Sequence, residues 1–331
     1  MNYEQYASLV MPETAILELT EYCNFNCVHC YETHQRESLL DIDDYITVLH
    51  DLKRLGCFKI ILTGGEPFIR KELLFDVAKI AKKENFHLTI ITNLSLCDSA
   101  DVQRIYDIGV DQVCVSLYGF TDETYAAMCQ VAVSAELIRE RIVHMKRLGL
   151  NVKLLCTLTS ENICDLSSIE KWCATQDIQV SYNYIIYGRE NDTKENLTYA
   201  LNKNFILQIL NLRKNEFIKN YSNKNEKRGM CSAGRKKICI AADGTLFPCA
   251  TWRIKVGSVF DGIEKSWVTP SRELMWIRQL NYYDFECSSC SNSLYCTFCP
   301  GVNYSENTNP FIPAKSLCKS AKILKEFLLE R

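Results

Sequence analysis

Apolar positions in the first half of the chain alternate between short runs typical of strands and longer stretches with helical periodicity. Six strands are predicted from the short runs, which are rich in isoleucine, leucine, valine and threonine. They cover residues 15–20, 59–63, 87–92, 112–117, 152–158 and 179–186. Helices are predicted between them, at residues 41–55, 71–83, 99–106, 135–148 and 164–173. Asp41 and Ser99 are the predicted N-caps, and Gly56, Gly109 and Gly149 are the predicted helix ends.

This alternation predicts a parallel sheet, because consecutive parallel strands need a helical crossover between them. The pattern by itself leaves two arrangements open, an open doubly wound sheet and a barrel. The chain has 331 residues, which is enough for about two domains.

Three cysteines, which we call the N-terminal cysteine triplet, follow the first strand: Cys23, Cys27 and Cys30. Cysteine thiolates ligate iron–sulfur clusters, and three of them would leave the fourth iron of a four-iron cube without a protein ligand. One alternative is a zinc site that takes His29 or His34 as its fourth ligand. The other alternative is a group of buried free thiols.

A second motif, Thr-Gly-Gly-Glu-Pro at residues 63–67, ends the second strand. Together with the triplet it resembles the radical S-adenosylmethionine (SAM) family. The resemblance implies a partial (β/α)6 TIM-type barrel, with a [4Fe–4S] cluster on the triplet and SAM chelated to its open iron. In such folds the chemistry gathers at the C-terminal ends of the strands, where all these residues fall. The implied SAM contacts are His29, Tyr31, Gly64, Gly65, Glu66, Pro67, Asn93 and Ser116.

The fourth-strand segment departs from the family pattern at two positions. Ser116 fits the usual Ser-hydrophobic-Asp-Gly sequence, but Tyr118 stands where the aspartate is expected. Further along, Cys129 lies near the position where many relatives have an arginine that pairs with the SAM carboxylate. Any role of these two charged groups would then pass to other residues.

Composition adds limits on partners and location. The net charge of −2 gives no reason to expect nucleic acid or an anionic membrane as a partner. The start of the sequence lacks a basic region followed by an apolar run, and no stretch approaches the ~20 apolar residues of a membrane span. The 18 cysteines are therefore interpreted as metal ligands and buried thiols of a cytoplasmic protein.

The chain changes character after the barrel. Residues 191–230 are rich in asparagine, lysine and glutamate and contain one helical run at 204–213, which indicates a linker with a helix. We predict a barrel domain at 1–190, this helical linker at 191–230, and a cysteine-rich domain at 231–331. The last domain contains Cys231, Cys239, Cys249, Cys287, Cys290, Cys296, Cys299 and Cys318.

The spacing of these cysteines resembles the SPASM extension of the radical SAM family, although the step from Cys296 to Cys299 is one residue short. The extension implies two auxiliary [4Fe–4S] clusters, and therefore three in all. The first would use Cys231, Cys249 and Cys299, with Cys239 as a fourth ligand or, equally, as a buried strand thiol. The second cluster would use Cys287, Cys290, Cys296 and Cys318. A zinc ribbon is the alternative for the C-x2-C pairs of the block from Cys287 to Cys299.

The resemblance implies that one electron cleaves SAM to a 5′-deoxyadenosyl radical, which takes a hydrogen atom from an unactivated substrate carbon. The auxiliary clusters would accept a second electron, so a two-electron oxidation is expected. By analogy, the substrate is a side chain of a ribosomally made precursor peptide, which is oxidised or cross-linked. A flavodoxin- or ferredoxin-type reductant is implied. A separate leader-binding protein is also possible, because strand one begins near residue 15.

Three other functions stay open. Sulfatase maturation to formylglycine is one, although that branch has an aspartate where Ala250 stands. Radical oxidation of a small molecule is another. A noncatalytic iron–sulfur or zinc protein with a binding or regulatory role is the third. The residues predict no acid–base group.

Overall fold

The computed structural model describes residues 10–33, 37–189, 193–214 and 230–329. Six parallel strands lie side by side in sequence order, joined by five consecutive pairings. The six predicted strands are confirmed, with small differences at their ends. They are β1 (Thr14–Glu18), β2 (Lys59–Thr63), β3 (His87–Thr92), β4 (Gln112–Ser116), β5 (Val152–Thr157) and β6 (Gln179–Asn183).

Helices connect these strands: α1 (Ile42–Arg54), α2 (Lys71–Lys83), α3 (Ser99–Ile108), α4 (Asp122–Cys129), α5 (Ala135–Arg147) and α6 (Leu166–Gln176). Asp41 caps α1 as predicted, because its carboxylate accepts the first free amides of the helix. The predicted cap Ser99 is wrong by one residue. Asp98 caps α3 instead, in a capping box with Asp101, and Ser99 is the first helical residue. Helix α4 was not predicted, since it is short and buries Thr124 among its apolar residues.

Side chains alternate between the two faces of each strand. On β1, Ala15 and Leu17 are completely buried beneath the helices, whereas Ile16 and Glu18 line a cavity on the other face. Burial against the helices accounts for the apolar runs. The cavity face tolerates polar residues, and these are concentrated at the last position of each strand.

The sheet continues into the cysteine-rich region. Strand β7 (Lys237–Ile240) pairs in parallel with β1, with Cys239 opposite Ile16. Strands β8 (Thr245–Phe247) and β9 (Gly257–Ser258) then follow in antiparallel pairing. The order is β6-β5-β4-β3-β2-β1-β7-β8-β9, an open sheet and not a closed barrel. The predicted α/β fold with a partial barrel is confirmed, and β1 joins the barrel to the cysteine-rich region.

The remaining helices lie after β6. The predicted helix at 204–213 is confirmed with a shift of one residue, while much of the predicted linker falls outside the described residues. The last helix, Lys315–Leu329, packs against the helix at Lys203–Leu212, and an ion pair between Lys203 and Glu326 joins the two. Within the described ranges, no helix is both long and apolar enough to cross a bilayer. The helices are α7 (Lys203–Leu212), α8 (Ile263–Val268), α9 (Arg272–Gln279), α10 (Pro300–Asn307) and α11 (Lys315–Leu329).

Candidate active site

A cavity of about 330 Å³ lies at the C-terminal ends of the parallel strands. Because these ends meet at one edge of the sheet, residues from all six strands converge there. The cysteine triplet lines the same cavity, as do Gly64, Gly65 and Asn93. The last residue of every barrel strand is part of its lining: Glu18, Thr63, Thr92, Ser116, Thr157 and Asn183.

Backbone amides approach the sulfurs of the cysteine triplet. Phe25 N–H donates to Cys23 Sγ at 3.4 Å, and the Glu32 amide donates to the sulfur of Cys30. Burial nevertheless raises the pKa of Cys23 to about 12 and that of Cys30 further. A thiol must lose its proton to bind a metal. The backbone amides of the loop therefore favour thiolates. Burial opposes the loss of the protons, so a bound cationic centre is needed to stabilise the thiolates.

The two glycines of the second motif pack against the residues that lead into the triplet. Gly65 N–H donates to Thr20 O at 2.8 Å, and Glu66 N–H donates to Tyr22 O at 2.9 Å. A Cβ on Gly65 would overlap with the Tyr22 carbonyl, and one on Gly64, whose φ is +144°, with the Thr20 carbonyl. The close approach of two backbone segments thus requires glycine here.

Glu66 and Pro67 are buried but are not part of the cavity lining. The Glu66 carboxylate accepts hydrogen bonds from Asn93 N–H and the Thr92 hydroxyl, each at 2.7 Å, and from Phe68 N–H at 3.1 Å. It thereby joins the ends of β2 and β3. Burial raises the pKa of Glu66 to about 7.

The other predicted SAM contacts do line the cavity: His29, Tyr31, Asn93 and Ser116. Burial lowers the pKa of His29 to about 4, so its imidazole is neutral at pH 7. Its Nδ1 atom has no hydrogen-bond partner among the described residues. The ring of Tyr31 packs against that of Tyr187 at a tilt of 36°, with ring centroids 5.6 Å apart. These residues present neutral polar groups and aromatic faces, which suit an adenosyl group.

A buried ion pair beside the cavity was missed from the sequence. Arg253 donates to the Glu18 carboxylate at 2.6 and 3.0 Å and to Glu32 at 3.2 Å. Arg253, Glu18 and Glu32 have side-chain exposures of 6%, 3% and 9%. The only sequence signal was a glutamate in the apolar run of β1. Because Arg253 and Glu18 are separated by 235 positions, the partner could not be identified without the fold.

Three cysteines of the C-terminal region form a first group, Cys231, Cys249 and Cys299. Each of the three sulfurs accepts backbone amides, and the charge of one raises the pKa of another. Cys299 precedes helix α10, so the first amides of that helix point at its sulfur. This arrangement fits thiolate ligands of one centre. The donors are the amides of Ala233, Thr251, Trp252, Gly301 and Val302.

A second group consists of Cys287, Cys290 and Cys318. Burial raises the pKa of Cys287 and of Cys318; the charges of Cys318 and Cys290 raise the first further, and the charge of Cys290 raises the second. Asn292 N–H donates to Cys290 Sγ at 3.4 Å. The fourth predicted member, Cys296, packs with Cys299 on a small apolar cluster under α10 and α11. The fold thus brings Cys287, Cys290 and Cys318 of the predicted second cluster close together.

Cys239 has different neighbours from the cysteines of the first group. Its thiol is completely buried and donates to Glu18 Oε1 at 3.4 Å, while Arg253 Nη1 lies 3.9 Å from the sulfur. Burial and the charge of Glu18 raise the pKa of Cys239 well above its ordinary value. These contacts favour a protonated thiol, and iron ligation by Cys239 stays a prediction.

Among the described residues, no three histidine, cysteine or acidic side chains form a group that could hold a single metal ion. His34, one of the two histidines considered for a zinc site, lies outside the described residues. The donor chemistry of the cysteine loops, sulfurs surrounded by backbone amides, fits iron–sulfur clusters.

Comparison with known proteins agrees with this geometry. The Radical SAM superfamily model matches residues 17–173. GTP 3′,8-cyclase of Staphylococcus saprophyticus is 22% identical over 261 residues, which cover 70% of this chain and 77% of that protein. The Staphylococcus aureus GTP 3′,8-cyclase is 29% identical over 147 residues, covering 42% of this chain and 43% of its own length.

Solved structures match nearly the whole chain. Streptococcus suis SuiB bound to precursor peptide SuiA has a TM-score of 0.73 and 16% identity, with 96% of this chain and 78% of SuiB covered. The enzyme anSMEcpe with bound AdoMet has a TM-score of 0.74 and 16% identity, with 97% and 94% covered. The likeness includes the C-terminal region. Residues 17–173 therefore form a radical SAM domain, and the fold of the chain, its C-terminal region included, is that of these solved structures.

Proposed function

We propose that this radical SAM enzyme oxidises or cross-links a side chain of a ribosomally made peptide. The observation that supports this most is the extent of the fold likeness. It covers 96% of the chain for SuiB with its precursor peptide SuiA and 96% for anSMEcpe with the Cp18Cys peptide. The shared part includes the cysteine-rich region, which borders the cavity through Ala250, the residue after Cys249.

The charges of the cavity argue for a peptide over GTP, the substrate named for the curated relatives. Glu18 and Glu32 line the cavity, and no lysine or arginine of the described ranges does. A triphosphate carries several negative charges, and the group of Glu18, Glu32 and Arg253 has one carboxylate more than its single guanidinium, so it would repel them.

A radical SAM domain implies SAM and one [4Fe–4S] cluster, which we assign to the N-terminal cysteine triplet. We assign two auxiliary clusters to the two C-terminal cysteine groups, with Cys296 completing the second. When bound, cluster and SAM supply the radical that removes a substrate hydrogen atom. The chain's own residues orient the adenosyl group at Ser116 and Asn93 and cover it with His29. The packed pair Tyr31 and Tyr187 lines the same cavity.

The remaining assignments extend the same proposal. The barrel comprises residues 1–190, the helical linker 191–230 and the SPASM region 231–331. A flavodoxin- or ferredoxin-type protein supplies electrons in the cytoplasm, and a leader-binding protein presents the precursor. Sulfatase maturation and small-molecule oxidation are the rival activities.

An anaerobic assay separates these functions. Reconstituted enzyme is incubated with SAM, a reductant, and either the short peptides encoded beside its gene or GTP. We expect 5′-deoxyadenosine to form, and one peptide to lose the mass of two hydrogens. The variant that lacks the triplet cysteines is the control and should leave every substrate unchanged. Conversion of GTP, with all peptides unchanged, would contradict the peptide assignment.

A further inference from the structure

Helix α11 has four lysines on the side that faces away from the core: Lys315, Lys319, Lys322 and Lys325. The first three are exposed and the last is half-buried. Residues three or four positions apart lie on the same face of a helix, so Cys318 lies between Lys315 and Lys322 in one row that ends at Lys325. We call this row, with Lys319 at its edge, the basic face of α11.

The positive charge of the basic face is not balanced by acidic neighbours. The only acidic residue of α11 is Glu326, and its carboxylate pairs with Lys203 of α7 at 2.6 Å. Within the part of the chain that the structure describes, no lysine of the basic face forms an ion pair. The whole chain has a net charge of −2, so this excess of positive charge is local.

The second cysteine group reaches the surface beside the basic face. Cys290 and Cys318 are exposed, whereas the cysteines of the N-terminal triplet and of the first group are buried or half-buried. Lys325 Nζ donates to Ser291 O and to Asn292 Oδ1, each at 3.1 Å. These two hydrogen bonds tie α11 to the segment that directly follows Cys290. Exposed sulfurs and lysines therefore share one surface.

Exposed apolar side chains lie on the same surface. Leu329 is four residues after Lys325, which places it at the end of the row, and its side chain is exposed. Leu294 is exposed in the turn at Ser293–Tyr295, which packs against α11. Apolar side chains next to charged ones are typical of surfaces that dock another protein.

We propose that the basic face of α11 is the docking surface for an acidic electron-transfer protein of the flavodoxin or ferredoxin type. The inference rests on the proposed function, which requires such a partner and assigns a cluster to the second cysteine group. A partner docked here would bring its redox centre next to Cys290 and Cys318. The lysines would attract its acidic surface and speed the encounter. An anionic membrane or a nucleic acid would also be attracted by the lysines, but neither would account for the exposed sulfurs.

The test is binding to the reconstituted enzyme, measured by anaerobic isothermal titration calorimetry without SAM or peptide. The probes are a flavodoxin with FMN and a [2Fe–2S] ferredoxin, both with an acidic surface. We expect at least one to bind, with a Kd that rises from about 50 to about 300 mM sodium chloride because salt screens the charges. Lys315→Glu/Lys322→Glu should raise the Kd about tenfold or more. Neither lysine side chain makes a hydrogen bond to another described residue, so the fold should be kept.

Lys83→Glu/Lys171→Glu is the matched control. It changes the net charge by the same amount at exposed positions of the barrel helices α2 and α6, and it should keep the wild-type Kd. Iron content and circular dichroism of both double variants should equal those of the wild type. A carbodiimide, which joins lysine amines to carboxylates in contact with them, should cross-link the partner to Lys315 or Lys322 in the wild-type complex.

Three results would overturn the inference. The first is the same Kd for the two double variants. The second is the absence of binding of both probes to the wild type. The third is binding of the basic face to vesicles of phosphatidylserine and phosphatidylcholine when neither probe binds. Because no peptide is present, an enzyme that docks flavodoxin here but leaves every peptide unchanged would contradict the proposed substrate and leave this inference standing.

Discussion

The buried ion pair between Arg253 and Glu18 joins the cysteine-rich region to β1. The side chains of Arg253, Glu18 and the neighbouring Glu32 are at most 9% exposed. Arg253→Met keeps an aliphatic side chain but leaves two carboxylates in a buried site without this guanidinium. Removing one partner of a buried ion pair costs about 3–5 kcal/mol, because the remaining charge is desolvated. We expect the variant to lose that much of its free energy of unfolding.

The assay is anaerobic urea unfolding, with all variants purified and loaded alike and followed by circular dichroism. Arg253→Met/Glu18→Gln should recover part of the loss, since the second change removes one of the uncompensated charges. Lys79→Met is the matched control. Lys79 pairs with Asp76 at the surface, where the side chains are 56% and 51% exposed, and such pairs contribute about 0–1 kcal/mol.

Two results would refute this reasoning. One is an Arg253→Met variant that loses no more stability than Lys79→Met. The other is a double variant that is less stable than Arg253→Met alone. Either would mean that the carboxylates are protonated or hydrated after the arginine is removed, so that no uncompensated charge remains.

Four further predictions concern the site. Replacing all triplet cysteines by alanine should lower iron from about twelve to about eight per chain and abolish 5′-deoxyadenosine formation; any remaining product contradicts the assignment. Cys239→Ala should keep the wild-type iron content, whereas loss of iron would confirm Cys239 as a ligand. Gly65→Ala should prevent SAM binding in equilibrium dialysis, because its Cβ would overlap with the Tyr22 carbonyl; wild-type affinity would show that the loop yields. The raised pKa of Glu66, about 7 against 4.5, makes its contribution to stability complete below pH 4.5 and lost by pH 7. Glu66→Gln should therefore gain about 3 kcal/mol relative to wild type between these pH values, measured by urea unfolding; parallel pH profiles would contradict it.

Local patterns were sufficient for the barrel. The strands bury one face beneath helices, so their apolar runs are visible in the sequence, and Asp41 marks the start of α1 through its own side chain. Helix α4 was not predicted because it is short and its buried side contains both polar and apolar residues. The cap of α3 was misplaced by one residue because Asp98 and Ser99 are both good N-caps, and only the capping box with Asp101 distinguishes them.

The cysteine motifs likewise indicated chemistry before any fold was known, because cluster ligands lie at short, regular spacings. The convergence of strand ends followed from parallel topology alone.

Contacts between distant segments had no such signal. The pairing of β7 with β1 places Cys239 beside Glu18, and the same fold places Arg253 beside both. Asn26 of the triplet loop donates to Cys129 O only because the fold places the end of α4 against that loop. Short-range spacing encodes strands, caps and ligand loops, since those depend on neighbouring residues. The partners of buried charges and thiols depend on which elements pack together, and that was decided only by the tertiary structure.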